Sequence, residues 1–226
     1  MSTKLLFLSH VLDEKTPTYG NRNAFLLEKK SSIARGDVAN DSHISTTVHV
    51  GTHIDMPYHF HKEGQTIEDY DADFWYFTKP AFVDLAPLKM VIHDELITAI
   101  EERGFSPETD ILIVRTGIEK YRNTDRFWQA NPGFSPAIYD YLIGKFPKLR
   151  ILGFDSISVS SFADRPTGRE AHMRFLNPHR PILLLEDMKL AHLERNAELE
   201  EVVVSPLRIA QCDGLPCTVL AMFKES

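Results

Sequence analysis

Two apolar runs, Ile111–Val114 and Ile151–Phe154, flank a helical pattern that opens with Ser135-Pro136 and closes at Pro147. The serine suits an N-cap and the proline a first helical position, and Ile138, Tyr141, Leu142 and Phe146 follow at helical spacing. A strand, a long helical link and a second strand form a crossover that sets the two strands parallel. A second helix is expected from Asp94 to Arg103, with Leu96, Ile97, Ala99 and Ile100 on one side and Gly104 as its stop. Further short apolar runs read as strands: Leu5–Leu8, Ala24–Leu27, Ile44–Val50, Ala81–Leu85, Ile182–Leu185, Val202–Ile209 and Thr218–Phe223. No helical connection is visible between these, so they are expected to pair antiparallel. The expected class is α/β, with a mixed sheet and few helices. Without an internal repeat or a Gly/Ser/Pro linker, residues 1–226 are expected to form a single domain.

The net charge of −7 comes with scattered Lys and Arg, which leaves no basic stripe for a phosphate backbone and argues against a nucleic-acid partner. Leu5–Leu8 is too short for a signal-peptide core and reads as a buried first strand. No stretch approaches the apolar length of a membrane span. Cys212 and Cys217 form neither a C-x-x-C pair nor a disulfide framework. A cytoplasmic protein fits these features.

Four of the ten histidines fall between Thr46 and His61, with Asp55 among them. On an extended chain, residues an even number apart share a face, so His49, His53 and Asp55 are expected to converge. Gly51, the β-branched Val48, Val50, Thr52 and Ile54, and Pro57 argue against a helix here. Imidazole nitrogens with a carboxylate suit zinc or another first-row divalent ion, and three protein ligands would keep a position open for water. Downstream, the apolar strand Ile182–Leu185 runs directly into Glu186. A carboxylate there must be paired or metal-bound, and pairing with Arg180 or Lys189 is as good an expectation as a metal. His172 is expected on a loop with Arg169, Glu170 and Arg174. Core packing would explain much of the aromatic segment Asp69–Phe77, but with Phe60 it is expected to line a pocket and a subunit interface.

The run His49-Val-Gly-Thr-His53-Ile-Asp55-Met-Pro57-Tyr-His59 resembles the H-x-G-T-H-x-D-x-P-x-H signature of the cyclase family of metal-dependent hydrolases, which includes bacterial kynurenine formamidases and isatin hydrolases. The likeness continues through Ala81–Leu85, Leu112–Gly117, Leu152–Asp155 with Ser158, His172, and Ile182–Met188. It implies a swivelling β/β/α fold and a homodimer or homotetramer acting on a small molecule. It implies that His49, His53 and Asp55 bind one ion, and that His172 and Glu186 complete a second site. The cofactor would be Zn or Mn, one or two ions per chain, with His59 moving protons between the attacking water and the leaving nitrogen. The reaction implied is hydrolysis of an amide-type C–N bond, in a formamide such as N-formylkynurenine or in a cyclic amide. Kynurenine formamidases carry a tryptophan in a Thr-Pro-x-Trp-Pro-Gly loop; here the stretch is Thr16-Pro17-Thr18-Tyr19-Gly20-Asn21, so Tyr19 is the candidate substrate contact. The alternative is a non-catalytic member that binds a metal or a small molecule, against which the six intact candidate residues argue.

Overall fold

The computed structural model describes residues 3–21 and 25–224. In chain order its strands and helices begin with β1 (Thr3–Phe7), β2 (Leu26–Ser31), β3 (Asp41–Ser45), β4 (His53–Asp55), β5 (Tyr76–Phe77), β6 (Pro80–Asp84) and β7 (Val91–Ile92). They continue with α1 (Asp94–Arg103), β8 (Ile111–Arg115), α2 (Arg126–Gln129), β9 (Gly133–Phe134), α3 (Ile138–Lys145) and β10 (Ile151–Phe154). The last are α4 (Arg165–Phe175), β11 (Leu183–Glu186), β12 (Leu199–Pro206) and β13 (Gly214–Lys224). The class is mixed α/β, with one large mixed sheet and few helices among the described residues.

The expected crossover is present: β8 and β10 are parallel neighbours, with Ile151 opposite Ile111, and α3 lies between them in the chain. Helices cover such a sheet, so its strands are buried throughout and read as unbroken apolar runs rather than alternating ones. The expectation that the remaining strands pair antiparallel is corrected at two places. β6 pairs parallel with β8 through α1, and β10 pairs parallel with β11 through α4. The second crossover was hidden because α4 lacks an apolar stripe. Of its buried residues Gly168, Ala171, His172 and Phe175, only Phe175 is a large hydrophobe. His172 therefore lies on a helix, not on a loop. Asp164 starts that helix by accepting a hydrogen bond from the Thr167 N–H, and Pro166 follows in the first turn.

The other half of the sheet is antiparallel. β4 sits between β11 and β13, β13 also pairs with β12 and β1, and β12 pairs with β5. Only Thr78 and Lys79 separate β5 from β6, the two ends of the strand order, so the sheet curls until it nearly closes. β13 begins at Gly214, ahead of the expected Thr218, and its early part carries the pairing to β4. β12 ends at Pro206 rather than Ile209. β1 is an edge strand, with Leu5 and Phe7 exposed, and the buried first strand that was expected reduces to Leu8. The expected strand Ile44–Val50 ends at Ser45, and residues 48–52 form bends around Gly51 at φ +57°. The expected strand at Ala24–Leu27 begins at Leu26; Ala24 lies outside the described residues. β2 and β3 form a hairpin that pairs with no other strand among the described residues.

The aromatic segment 69–77 packs into the core instead of a pocket, while Phe60 lines a cavity. Trp75 and Phe77 are buried, Tyr70 and Phe74 pack beside them, and the Arg150 guanidinium covers the Phe77 ring at 4.2 Å. No helix among the described residues is long and apolar enough to cross a membrane. The centre of the core is reached by Phe154, fully buried with its ring 4.8 Å from that of Phe134. Phe154→Ala is expected to cost about 3–5 kcal/mol of stability, measured as a lowered midpoint of chemical unfolding.

Candidate metal centre

The antiparallel register sets Glu186 opposite His53 and Leu184 opposite Asp55. Residues opposite one another point to the same side of a sheet, and so do residues two apart. His53, Asp55 and Glu186 therefore meet on one face although 131 positions separate the last two in sequence. Helix α4 adds His172 to the same spot. The His53 Nε2 atom lies 3.4 Å from Asp55 and 3.5 Å from Glu186, and the His172 Nε2 lies 3.5 Å from Asp55 and 3.9 Å from Glu186. All four side chains are nearly fully buried.

The state of the two rings follows from their other nitrogens. His53 Nδ1 faces the Gly51 carbonyl at 2.8 Å, and His172 Nδ1 faces the Gly168 carbonyl at 2.9 Å. A carbonyl only accepts, so each Nδ1 carries the proton and, in the neutral ring, each Nε2 presents a lone pair. Nitrogen lone pairs then face the carboxyl oxygens of Asp55 and Glu186. A divalent cation fits that arrangement, and a carbonyl on the far nitrogen is the usual way a metal-binding imidazole is held. Glu186 pairs with neither Arg180, which donates to the Leu149 and Pro147 carbonyls, nor Lys189. Its own support is the Val159 N–H at 2.7 Å. Burial, reinforced by the charge of Asp55, pushes the Glu186 carboxyl well above its usual range. Burial also opposes ionisation of Asp55, but the charge of His49 and its hydrogen bond to that carboxylate hold it well below.

His49 reaches the cluster by the bend at Gly51, not by the strand alternation expected of it. Its Nδ1 is 2.8 Å from Asp55 and its Nε2 is 2.8 Å from Asp213. Burial disfavours its protonated form, yet the two flanking carboxylates outweigh burial and raise its pKa to about 10. The ring fits because position 214 is glycine: a Cβ there would lie 2.4 Å from His49 Cε1. His59, at the end of the turn Pro57–His59, donates from Nδ1 to Asp213 at 3.0 Å. His49 with His53 and Asp55, and Asp55 with His59 and His172, are each close enough to hold one ion; so are His49, His59 and Asp213.

Asp213 was not singled out from the sequence. Asp-Gly ahead of a strand reads as a turn, and nothing local links it to a histidine 164 positions away. The centre forms the floor of a cavity of about 390 Å³, walled in part by Pro17, Tyr19, Phe60 and Ile157. Tyr19 lies on the short turn Tyr19–Asn21, its ring tilted against Phe162 at 5.6 Å. The Phe60 ring stacks on His172 at 4.5 Å.

A kynurenine formamidase from Geobacillus thermodenitrificans is 28% identical over 211 residues, which cover 92% of each chain. Cyclase-like protein 2 of Oryza sativa subsp. japonica is 26% identical over 94% of this chain and 77% of its own. Among solved structures, isatin hydrolase A from Labrenzia aggregata, bound to benzyl benzoate, shares the fold with a TM-score of 0.83 at 23% identity, over 99% of this chain and 94% of that one. The Cyclase family model matches residues 6–161, well over half of the sequence, and the chain belongs to that family.

Proposed function

We propose that the chain is a metal-dependent hydrolase of an amide-type C–N bond, in a formamide such as N-formylkynurenine or in a cyclic amide. One observation carries this reading: the Nε2 atoms of His53 and His172 face Asp55 and Glu186 at the floor of a cavity that His59 also lines. A relative named kynurenine formamidase and a structural neighbour named isatin hydrolase support the reaction class. His49, His53, Asp55, His172 and Glu186 would hold Zn or Mn, one or two ions per chain. When bound, the metal would polarise the amide carbonyl and acidify water.

The chain's own groups do the rest. Asp213 accepts the Nδ1–H of His59, which fixes the ring and leaves Nε2 free to exchange protons. An amide nitrogen leaves poorly as an anion, so His59 would take a proton from the attacking water and return it to that nitrogen. Tyr19, Phe60 and Ile157 would hold the body of the substrate and limit access of bulk water. We further propose that the chain works as a homodimer or homotetramer. Leu27 and Ile44 are cross-strand partners on the β2–β3 hairpin and both are exposed, and an isolated two-stranded hairpin is marginal in water.

His53→Ala or Asp55→Ala is expected to abolish both metal retention and amide hydrolysis, read by elemental analysis and by assays on N-formyl amines and cyclic amides. A folded, metal-free protein with full activity would overturn the reading. His59→Asn is expected to keep the metal and lose roughly 10²- to 10⁴-fold in kcat. His49 holds its proton up to a pKa of about 10, and that proton must leave before the ring can bind a metal. Metal affinity should therefore rise about tenfold per pH unit between pH 7 and 9, in competition with a chelator. Sedimentation should give a dimer or tetramer, and Leu27→Asp with Ile44→Asp should shift it toward monomer.

A further inference from the structure

Helix α4 supplies more than His172. Arg165 and Arg169 are four residues apart, and His172 follows three later, so the three side chains share one helix face. All three line the same cavity. Arg115, Arg122, Arg150, Arg174 and Arg180 are each held by carboxylates or carbonyls elsewhere in the fold. Arg165 and Arg169 have no such partner among the described residues. The carboxylate beside them, Asp164, is engaged by the Thr167 N–H.

Arg165 is positioned rather than loose. Its guanidinium lies over the Phe162 ring at 4.2 Å, and that ring is backed by Tyr19 at 5.6 Å and Trp128 at 4.8 Å. Stacking holds the plane of a guanidinium and leaves its N–H edge open. The placement is also unfavourable for the helix alone. The first turn of α4 contains no acidic residue, and Arg165 adds positive charge to the positive end of the helix dipole. Two guanidinium groups thus stand at the cavity rim, each able to receive an anion.

We propose that Arg165 and Arg169 form a carboxylate-binding subsite at the rim of the metal-site cavity, and that the substrate is an amide carrying a carboxylate away from the scissile bond. The inference rests on the hydrolase reading above and narrows it. The histidine–carboxylate floor takes the reacting amide, the wall of Phe60, Ile157 and Tyr19 takes an apolar or aromatic body, and the guanidinium pair takes the anion. Of the two substrate types left open, a carboxylate-bearing open-chain formamide satisfies all three parts of the cavity. An uncharged cyclic amide leaves the guanidinium pair without a partner.

The test compares two matched substrates, 2-formamidobenzoate and formanilide, on the metal-loaded full chain. The wild type is expected to favour the carboxylate substrate in kcat/KM. Arg165→Gln with Arg169→Gln should reduce that preference by roughly 10- to 100-fold, the loss expected for charged hydrogen bonds. Arg165→Lys with Arg169→Lys should restore part of it, through charge without the bidentate fork. No preference in the wild type, or a preference unchanged by the glutamine pair, overturns the subsite. If the wild type hydrolyses neither compound, the hydrolase reading is what has failed, and calorimetric titration with benzoate still decides the subsite. Benzoate binding weakened tenfold or more in the glutamine pair supports it; equal binding in both proteins overturns it.

Discussion

Ile54 points into the core while His53 and Asp55 on either side point to the opposite face, and that alternation on a three-residue strand underlies the whole centre. A slip of one residue between β4 and β11 would turn Ile54 toward the cavity and bury both donors among hydrophobes. Neighbouring contacts hold the register. The Thr52 hydroxyl donates to the Asp187 carbonyl at 2.6 Å and accepts from the His10 N–H, and the Cys217 N–H donates to the Thr52 carbonyl. Asp187 itself sits in the left-handed region at φ +50°, held there by a two-pronged contact from Arg122. The strand is short, but both its edges and the residue before it are tied to distant parts of the chain.

The buried acids sort themselves by how each is satisfied. Asp155 receives N–H groups from Thr116 and Gly117 and the Thr116 hydroxyl. Asp110 receives the N–H groups of Thr78 and Lys79 together with Arg150. Asp187 has Arg122. These carboxylates are structural clasps that join loops to the sheet. Asp55 and Glu186 differ, because they face histidines rather than a full set of donors or an arginine. Only the imidazole of His49 sets a charge against Asp55, and no arginine or lysine pairs with Glu186, so this grouping of buried acids and imidazoles suits a divalent cation.

The parts of this arrangement that were legible in the sequence are those encoded over short distances. The spacing of His53 and Asp55 on a strand is local, as is the run of leucines ending at Glu186, and the crossover from β8 to β10 announces itself through unbroken apolar runs and a capped helix. What escaped is encoded across the fold. Helix α4 packs with an alanine, a glycine, a histidine and one phenylalanine, so its hydrophobic period is too weak to read. Asp213 acquires its partners only when β13 lies along β4. His49 arrives through a glycine bend rather than a strand, so parity does not account for its place beside Asp55. The resemblance to a known signature supplied what periodicity could not.

Gly214 shows how such a centre can fail without losing any donor atom. The His49 ring occupies the volume that any larger residue at position 214 would claim, and position 214 opens β13, 165 residues away in sequence. The two positions therefore form one steric unit. Inheritance of an intact histidine motif is no guarantee of a working site, because a methyl group gained on β13 would displace an imidazole that the motif still spells. In a lineage of such proteins, clearance around the imidazole is as much a heritable trait as the imidazole itself.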